Sequence, residues 1–268
     1  MQTAESARRG VRGWLAEAGD AIVSLFFPAG CRICESLLAG ASRVPICDEC
    51  LSSFEAPSEK KCEICGQAVG WMTMEEERHV CWVCQQKTYA FERARSYGIY
   101  EEPLVRAILL LKWERIEPLG RWFAERLAEI AKREGETLAA DIVVPVPLHR
   151  DRERERGYNQ AGLISKPLAL RLGLPHKAVL LMRTRPRPNK QVLSFEERWD
   201  SVRGAFATRP GSQVDNKRVL LVDDVMTTGA TLDACARALL ESGAKSVVAL
   251  TVARAARNSP QAPDSGNL

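Results

Sequence analysis

No apolar run in this 268-residue chain approaches the roughly 18 to 20 residues that a membrane span requires. A strong charge of either sign is also missing. Lys+Arg 38 against Asp+Glu 34 leaves a net charge of +4, which permits an anionic ligand or nucleic acid and demands neither. An export leader is not expected either. RRGVRGW followed by AIVSLFFPAGC loosely imitates a twin-arginine signal with a lipoprotein box, but the apolar stretch 21–27 is short, Glu17 and Asp20 precede it, and Pro28 sits three before Cys31. Residues 1–30 are instead expected to contain an amphipathic helix, with Trp14, Leu15, Ala18, Ile22, Leu25 and Phe26 at helical spacing. The expected compartment is the reducing cytoplasm.

What is present, 46% hydrophobic and 27% charged residues, is an ordinary globular composition, long enough for a sizeable core and a smaller second unit. Eight of the nine cysteines form four Cys-x-x-Cys pairs: Cys31 and Cys34, Cys47 and Cys50, Cys62 and Cys65, Cys81 and Cys84. Two residues between thiolates let both sulfurs point inward from one knuckle turn, and two knuckles complete a tetrahedral cage of the structural zinc type. Disulfides suit a reducing compartment poorly, repeated knuckles suit zinc better than an iron–sulfur cluster, and thioredoxin-like redox chemistry needs one pair only. Two zinc ions are expected, with sequential pairing (31, 34, 47, 50 and 62, 65, 81, 84) favoured and an interleaved arrangement open. His79, beside Cys81, reads as a surface residue. The segment 31–89 has few large apolar residues, so metal is expected to be its core, and a chelator to unfold it while the rest survives.

Beyond it, a short strand around 95–100 leads to a helix carrying Leu104, Ile108 and Leu111 inward. Pro118 breaks the pattern before a second helix, about 119–133, whose apolar face holds Phe123, Leu127 and Ile130. DIVVPVPLH, 141–149, reads as a buried strand. It runs into RDRERERGYNQ, which offers Arg150, Arg152, Arg154 and Arg156 either as a salt-bridged charged run or as phosphate-binding forks at a strand's carboxyl end. Gly157 and Asn159 then open a helix through Ala161, Leu163, Ile164 and Leu168. A second basic stretch, RTRPRPNKQ (183–191), has no acid, and Pro186 and Pro188 keep it extended and off any central strand. Arg183, Arg185, Arg187, Lys190 and Gln191 suggest a mobile loop or a groove for a phosphodiester backbone. Cys235 reads as a small buried apolar residue.

VLLVDDVMTTGATL, 219–232, carries the sharpest signal. A central parallel strand ends on Asp223 and Asp224, and Thr227, Thr228, Gly229, Ala230 and Thr231 turn into a helix. Such a turn offers backbone N–H groups, hydroxyls and a helix N-terminus to a phosphate. The acids would repel that phosphate, so they are expected to meet neutral hydroxyls beside it. A sugar phosphate satisfies both demands.

These residues resemble the phosphoribosyl-pyrophosphate (PRPP) motif of type I phosphoribosyltransferases. With the cysteine-rich start, VPVPLHRDRERERGYNQA, QVLSFEERWDSVRGAF and GAKSVVALTVAR, the chain is similar to the ComF family of competence-associated proteins over roughly residues 20–254. The resemblance implies an α/β fold: a type I phosphoribosyltransferase-like parallel sheet flanked by helices (90–254), preceded by a small zinc-binding module with two four-cysteine sites (31–89) and followed by a disordered tail (255–268). It implies a phosphoribosyltransferase using PRPP with magnesium. Asp223 and Asp224 would bind the ribose hydroxyls and be catalytic, Thr227 to Thr231 would take the 5′-phosphate, and Leu148, His149 and Arg150 would lie on the pyrophosphate loop. Residues 183–191 would form the flexible loop. Pro188 and Ser201 depart from the family's usual threonine and asparagine there, so loop closure is the step they affect. The family role implied is handling of single-stranded DNA in natural transformation, with a competence helicase as partner. No segment reads as a base-recognition hood. A different class is a nucleic-acid adaptor with a vestigial nucleotide site, stacking a single strand on Trp71 and Trp82; a third is a pure interaction scaffold.

Overall fold

The computed structural model describes residues 30–38, 43–54, 56, 60–68, 79–186, 195–212 and 214–255. All but Gly30 of the expected N-terminal helix, Trp71, Arg187, Lys190, Gln191 and the tail beyond Ala255 lie outside them. The chain divides into two compact units, residues 1–54 and 55–268. The division falls between the second and third cysteine pairs, not at the expected 89/90 boundary.

In the first unit, the turn after Cys31 is closed by an antiparallel bridge between Gly30 and Leu37. The short helix α1, Asp48–Ser52, follows Cys47. Its buried apolar residues among those described are Cys31, Ile46, Cys50 and Phe54. That is too little apolar surface to hold a unit together by burial alone.

The second unit is a layered α/β body. Strands β1 (Arg93–Ile99), β2 (Ile142–Pro145), β5 (Arg218–Met226) and β6 (Ser246–Arg254) form one parallel sheet in the order β1-β6-β5-β2. The inner strands β5 and β6 are apolar on both faces, as a parallel sheet covered on both sides requires. Val219 and Leu221 join Cys235, Ala236 and Leu239 of helix α8 (Ala230–Glu241) in one core. By strand alternation Leu220 and Val222 face the opposite layer, α4 (Glu117–Glu134) and α6 (Gln160–Leu172). The chain after β2 therefore builds on one face and the chain after β5 on the other. The crevice beyond their adjoining carboxyl ends is a topological switch point, where such sheets hold ligands.

The remaining elements follow local chemistry. Helix α3, Leu104–Trp113, buries Leu104, Ile108 and Leu111, and α4 starts with Pro118 in its first turn and buries Phe123, Leu127 and Ile130, both as expected. The run expected as a strand to 149 stops at Pro145, and the arginine-rich segment after it is a helix, α5 (Arg150–Arg156). Asp151 and Glu153 lie in its first turn and Arg154 and Arg156 in its last, as the helix dipole favours, and Arg152 pairs with Glu155 at 3.7 Å. Asn159 caps α6 by accepting from Ala161 N at 3.0 Å. Residues 181–183 (β3) pair antiparallel with 206–208 (β4) in a ribbon apart from the main sheet. Between them lies α7, Phe195–Asp200.

The third and fourth cysteine pairs belong to this body. Helix α2, Trp82–Gln86, carries Cys84, and Cys62, Cys65 and Cys84 share the core of Phe91, Ala94 and Val219. Ala94 N donates to Ile64 O at 2.7 Å, so the Cys62–Cys65 knuckle covers the open edge of β1. Nearby, Glu134 is held by Lys61 Nζ and by the buried Arg95 Nε, each at 2.9 Å. Burial pushes the Glu134 carboxyl up, but these two cations outweigh it and hold it below the usual range.

Helices α4 and α6 meet closely because of one residue in each. Pro167 has no N–H for the carbonyl of Leu163 four residues earlier. That carbonyl faces Gly120, where a Cβ would lie 2.7 Å from it. Ala is normally the better helix former by about 1 kcal/mol. Gly120→Ala should nevertheless destabilise the protein, by roughly 1–3 kcal/mol through overpacking. A urea unfolding midpoint equal to or above that of the parent would contradict this account of the helix contact.

Candidate functional site

The site lies where β5 ends. Because alternate residues of a strand face opposite ways, Asp223 and Asp224 do not point together. Asp223 is half-buried on the α8 side. Burial, and then the charge of Asp224, push its carboxyl up to about 8, while Lys112 and Arg183 pull it down. Asp224 is 5% exposed on the other side, where Lys112 Nζ of α3 meets its Oδ1 at 3.1 Å. Its Oδ2 is buried with no hydrogen-bond partner among the described residues. Two like charges one residue apart are thus separated onto two faces, one paired and one pushed toward its neutral form.

The turn after the acids is held from behind by its carbonyls. Arg254 Nη1, at the end of β6, donates to Met226 O at 3.2 Å and to Thr227 O. Tyr89 Oη donates to Thr228 O at 3.0 Å. Arg198 of α7 donates to Thr227 Oγ1 at 3.2 Å, and Thr228 Oγ1 accepts from Ala230 N at 3.3 Å. Gly229 takes φ +83° where a Cβ would lie 2.8 Å from Met226 Cε and 2.9 Å from Tyr89 Cε1. Only glycine fits, for conformation and for space. With Ala230 and Thr231 beginning α8, the turn leads straight into a helix N-terminus.

The β2 loop runs beside it. Pro145 pairs with Val222, and Val146 N donates to Val222 O at 2.9 Å, so residues 146–149 emerge next to Asp223. His149 caps α5, accepting from Asp151 N at 3.4 Å. Arg150 is exposed at the helix start. Arg156 lies over the Trp113 ring at 4.5 Å, and burial lowers its pKa against the pull of the Asp224 charge. Of the second basic stretch, Arg183 lies over the Phe206 ring at 5.2 Å and Arg185 donates to Arg203 O.

Among the described residues two groups have the geometry of a metal site, Cys31, Cys34, Cys47 and Cys50, and Cys62, Cys65, Cys81 and Cys84. The pairing is sequential. A tetrahedral zinc–thiolate centre places its sulfurs about 3.8 Å apart. Sulfur pairs 34–47, 31–50 and 65–81 lie at 3.6, 3.9 and 3.6 Å. Backbone N–H groups of Ile33 and Cys47 reach Cys31 Sγ at 3.4 Å, as a thiolate favours. The four-thiolate donor set fits zinc. His79 is exposed, and Cys235 is fully buried, its thiol raised by that burial.

Comparison with known proteins bears on this geometry. DNA utilization protein YhgH of Escherichia coli K12 is 30% identical over 226 residues, spanning 83% of this chain and 96% of that protein. The chain belongs to the ComF family. Two further relatives are Competence protein F of Haemophilus influenzae, 28% identical over 86% of this chain and 99% of its own length, and Competence protein ComFC of Bacillus subtilis, 29% identical over 74% and 85%. Residues 161–267 match the phosphoribosyl transferase domain, a span that includes both acids and the turn. Among solved structures, the Bacillus subtilis glutamine PRPP amidotransferase covers 50% of this chain at 22% identity and TM-score 0.34, and the chain spans about a quarter (26%) of that enzyme. Leishmania tarentolae adenine phosphoribosyltransferase covers 52% at 19% identity and TM-score 0.32.

The fold of this ComF-family chain brings Asp223, Asp224, the turn 227–231 and the β2 loop together, while Arg187 and Gln191 lie outside the described residues. Sequence reasoning missed Lys112, Tyr89, Arg198 and Arg254. An arginine closing a nine-residue apolar strand was the one signal available for Arg254. The raised acid carries a consequence. Between its ordinary pKa of 3.8 and about 8, folded Asp223 holds more protons than the unfolded chain does. Stability therefore falls as pH rises through that window. Asp223→Asn should gain stability over the parent progressively from pH 4 to 8, by several degrees in Tm. Thermal melts at pH 5 and 9 showing the same difference would contradict it.

Proposed function

We propose that this chain binds PRPP, or a closely related sugar phosphate, at the end of β5. The 5′-phosphate sits on the 227–231 turn, and the ribose hydroxyls meet Asp223 and Asp224. The observation that carries this reading is the way the turn is held. Its carbonyls are tied back to Arg254 and Tyr89 on one side, which turns its peptide dipoles toward the other as an anion site beside two acids. For the ligand's ribose to reach Asp224, its hydroxyls take over from Lys112. The freed ammonium then lies beside the departing pyrophosphate, with Arg150 exposed at the adjoining loop. Transfer, in which the bond from ribose C1′ to pyrophosphate breaks with positive charge developing on the ribosyl centre while an acceptor's nucleophilic atom bonds to C1′, would be driven by positioning and electrostatics, with no nucleophilic side chain required. The carboxylates and hydroxyls are hard oxygen donors of the kind magnesium accepts, and the metal would offset pyrophosphate charge.

The two four-cysteine groups are read as structural zinc centres. The names of its relatives speak of competence and DNA utilization; the role proposed, from the family resemblance, is handling of single-stranded DNA during DNA uptake, in the cytoplasm and with a helicase partner. A second reading, an adaptor whose nucleotide site is regulatory or vestigial, is favoured by one observation: Lys112 of the protein itself occupies Asp224.

Titration calorimetry with PRPP and magnesium separates these. Saturable binding is expected, lost at least tenfold in Asp223→Asn with Asp224→Asn, while single-stranded DNA affinity stays nearly unchanged. Changing Arg183, Arg185 and Arg187 to Ala should instead flatten the salt dependence of DNA binding. Absence of any PRPP heat would overturn the first reading and promote the adaptor, and binding without transfer to any base would promote a regulatory site.

Zinc makes a separate forecast. The expectation that a chelator unfolds residues 31–89 and spares the rest changes, because Cys62 and Cys65 are 0% exposed within the core of the larger unit. Complete metal removal should lower the melting temperature of the phosphoribosyltransferase body as well as unfold residues 31–54. Undiminished cooperative melting of that body in the stripped protein would show that the second centre is dispensable.

A further inference from the structure

Arg254 joins two places that the sequence keeps far apart. It is 3% exposed at the end of β6. Its Nη1 donates to the carbonyls of Met226 and Thr227, and its Nη2 lies 3.7 Å from Cys65 Sγ. Tyr89 makes a second connection. It follows Cys84 by five residues, donates through Oη to Thr228 O at 3.0 Å, and sets its ring against Gly229, so the knuckle of α2 and the phosphate turn share one support. The same short segment sends Ala90 N to Asp233 Oδ1 of α8 at 2.7 Å.

We propose that the Cys62, Cys65, Cys81 and Cys84 centre and the 227–231 turn are thermodynamically linked binding sites, with Arg254 and Tyr89 as positioning residues between them. The proposal rests on the sugar-phosphate reading above and adds a partner site to it. The physical argument is one of charge and reach. Four thiolates around a divalent cation carry a net charge of −2, which favours a buried guanidinium beside them. A guanidinium with planar, fixed donors can face a thiolate on one edge and two carbonyls on the other, which an ammonium on a flexible stem cannot. With the centre loaded, Arg254 is anchored and ties back the carbonyls of the turn, which orients the turn's amides for an anion. Without the metal the knuckle relaxes, and the turn loses its two side-chain backing donors together, with Ala255 N left on Met226 O. Linkage is reciprocal: whatever metal contributes to phosphate affinity, bound phosphate contributes to metal retention.

The test uses the full zinc-loaded chain and follows metal loss to an excess of chromogenic chelator, with and without PRPP and magnesium. Cys34→Ser, in the separate unit 1–54, assigns the kinetic phase of the first centre. PRPP should slow release from the second centre at least about fivefold, the lower range of coupling between sites, and leave the first unaffected. Arg254→Lys, with its charge kept and its circular dichroism unchanged, should bring that protection close to one. Tyr89→Phe, which keeps the ring and removes one donor, should reduce it in part. A merely structural role would speed release in the variants without changing the ratio between the two conditions. If calorimetry shows PRPP binding and release is unaltered by it, the coupling is wrong and the sugar-phosphate site stands. Full protection in Arg254→Lys would remove Arg254 from the path, and no PRPP binding at all would overturn the site and the coupling together.

Discussion

A buried strand that ends in two adjacent carboxylates must compensate them, because an unpaired charge in a low-dielectric interior costs far more than a fold's net stability can spare. The chain does this asymmetrically. Strand geometry sends Asp223 and Asp224 to opposite layers of the sheet, where Lys112 pairs with one and the other is raised to about 8. Much of the architecture follows from that separation. Helix α3 must bring Lys112 to one face, and α8 must begin on the other immediately after a turn tight enough to need Gly229. The β2 loop must emerge alongside, which the pairing of Pro145 with Val222 ensures.

The same strand end explains why the cysteine clusters differ. The first lies in a unit whose buried apolar residues among those described are Cys31, Ile46, Cys50 and Phe54, so little but its four cysteines, placed as a metal site requires, could hold it together. The second covers the open edge of β1, packs with Phe91 and Ala94, and reaches the 227–231 turn through Arg254. Four similar Cys-x-x-Cys pairs thus sit in two settings. One cluster lies in a small unit with little apolar core, and the other lies within the core of a larger one.

What was legible in the sequence was local. Val219 to Val222 followed by two acids and a hydroxyl-rich turn could be placed as strand, site and helix start because period, charge and glycine all agree within fourteen residues. Helices α3 and α4 were readable from Leu104, Ile108, Leu111, Phe123, Leu127 and Ile130, and the cysteine pairing tendency from spacing alone. What was not legible was non-local. The regular repetition of the knuckles hid the division at 54/55, since nothing in the spacing of CEIC and CWVC says that they fold against strands 100 and more residues away. The β3–β4 ribbon, three residues in each strand, is too short to show a period. Lys112, Tyr89 and Arg254 read as ordinary helix, loop and strand-end residues until the chain brings them to Asp224, Thr228 and Thr227.

That non-local set also bears on how the site would work. Lys112 balances the charge of Asp224, and on the sugar-phosphate reading proposed above it would be released by a ligand that supplies hydrogen-bond donors to the carboxylate and negative charge to the ammonium. A free sugar supplies the donors without the charge. Asp223, pushed toward neutrality, can donate to a ligand oxygen below pH about 8 and accept from a hydroxyl above it. On that reading the site would select its ligand through the balance of its own charges. A molecule that joins a polyhydroxyl ring to phosphate groups at both ends would, as proposed, offer a partner to each of these groups: the turn, the two acids, Lys112 and Arg150.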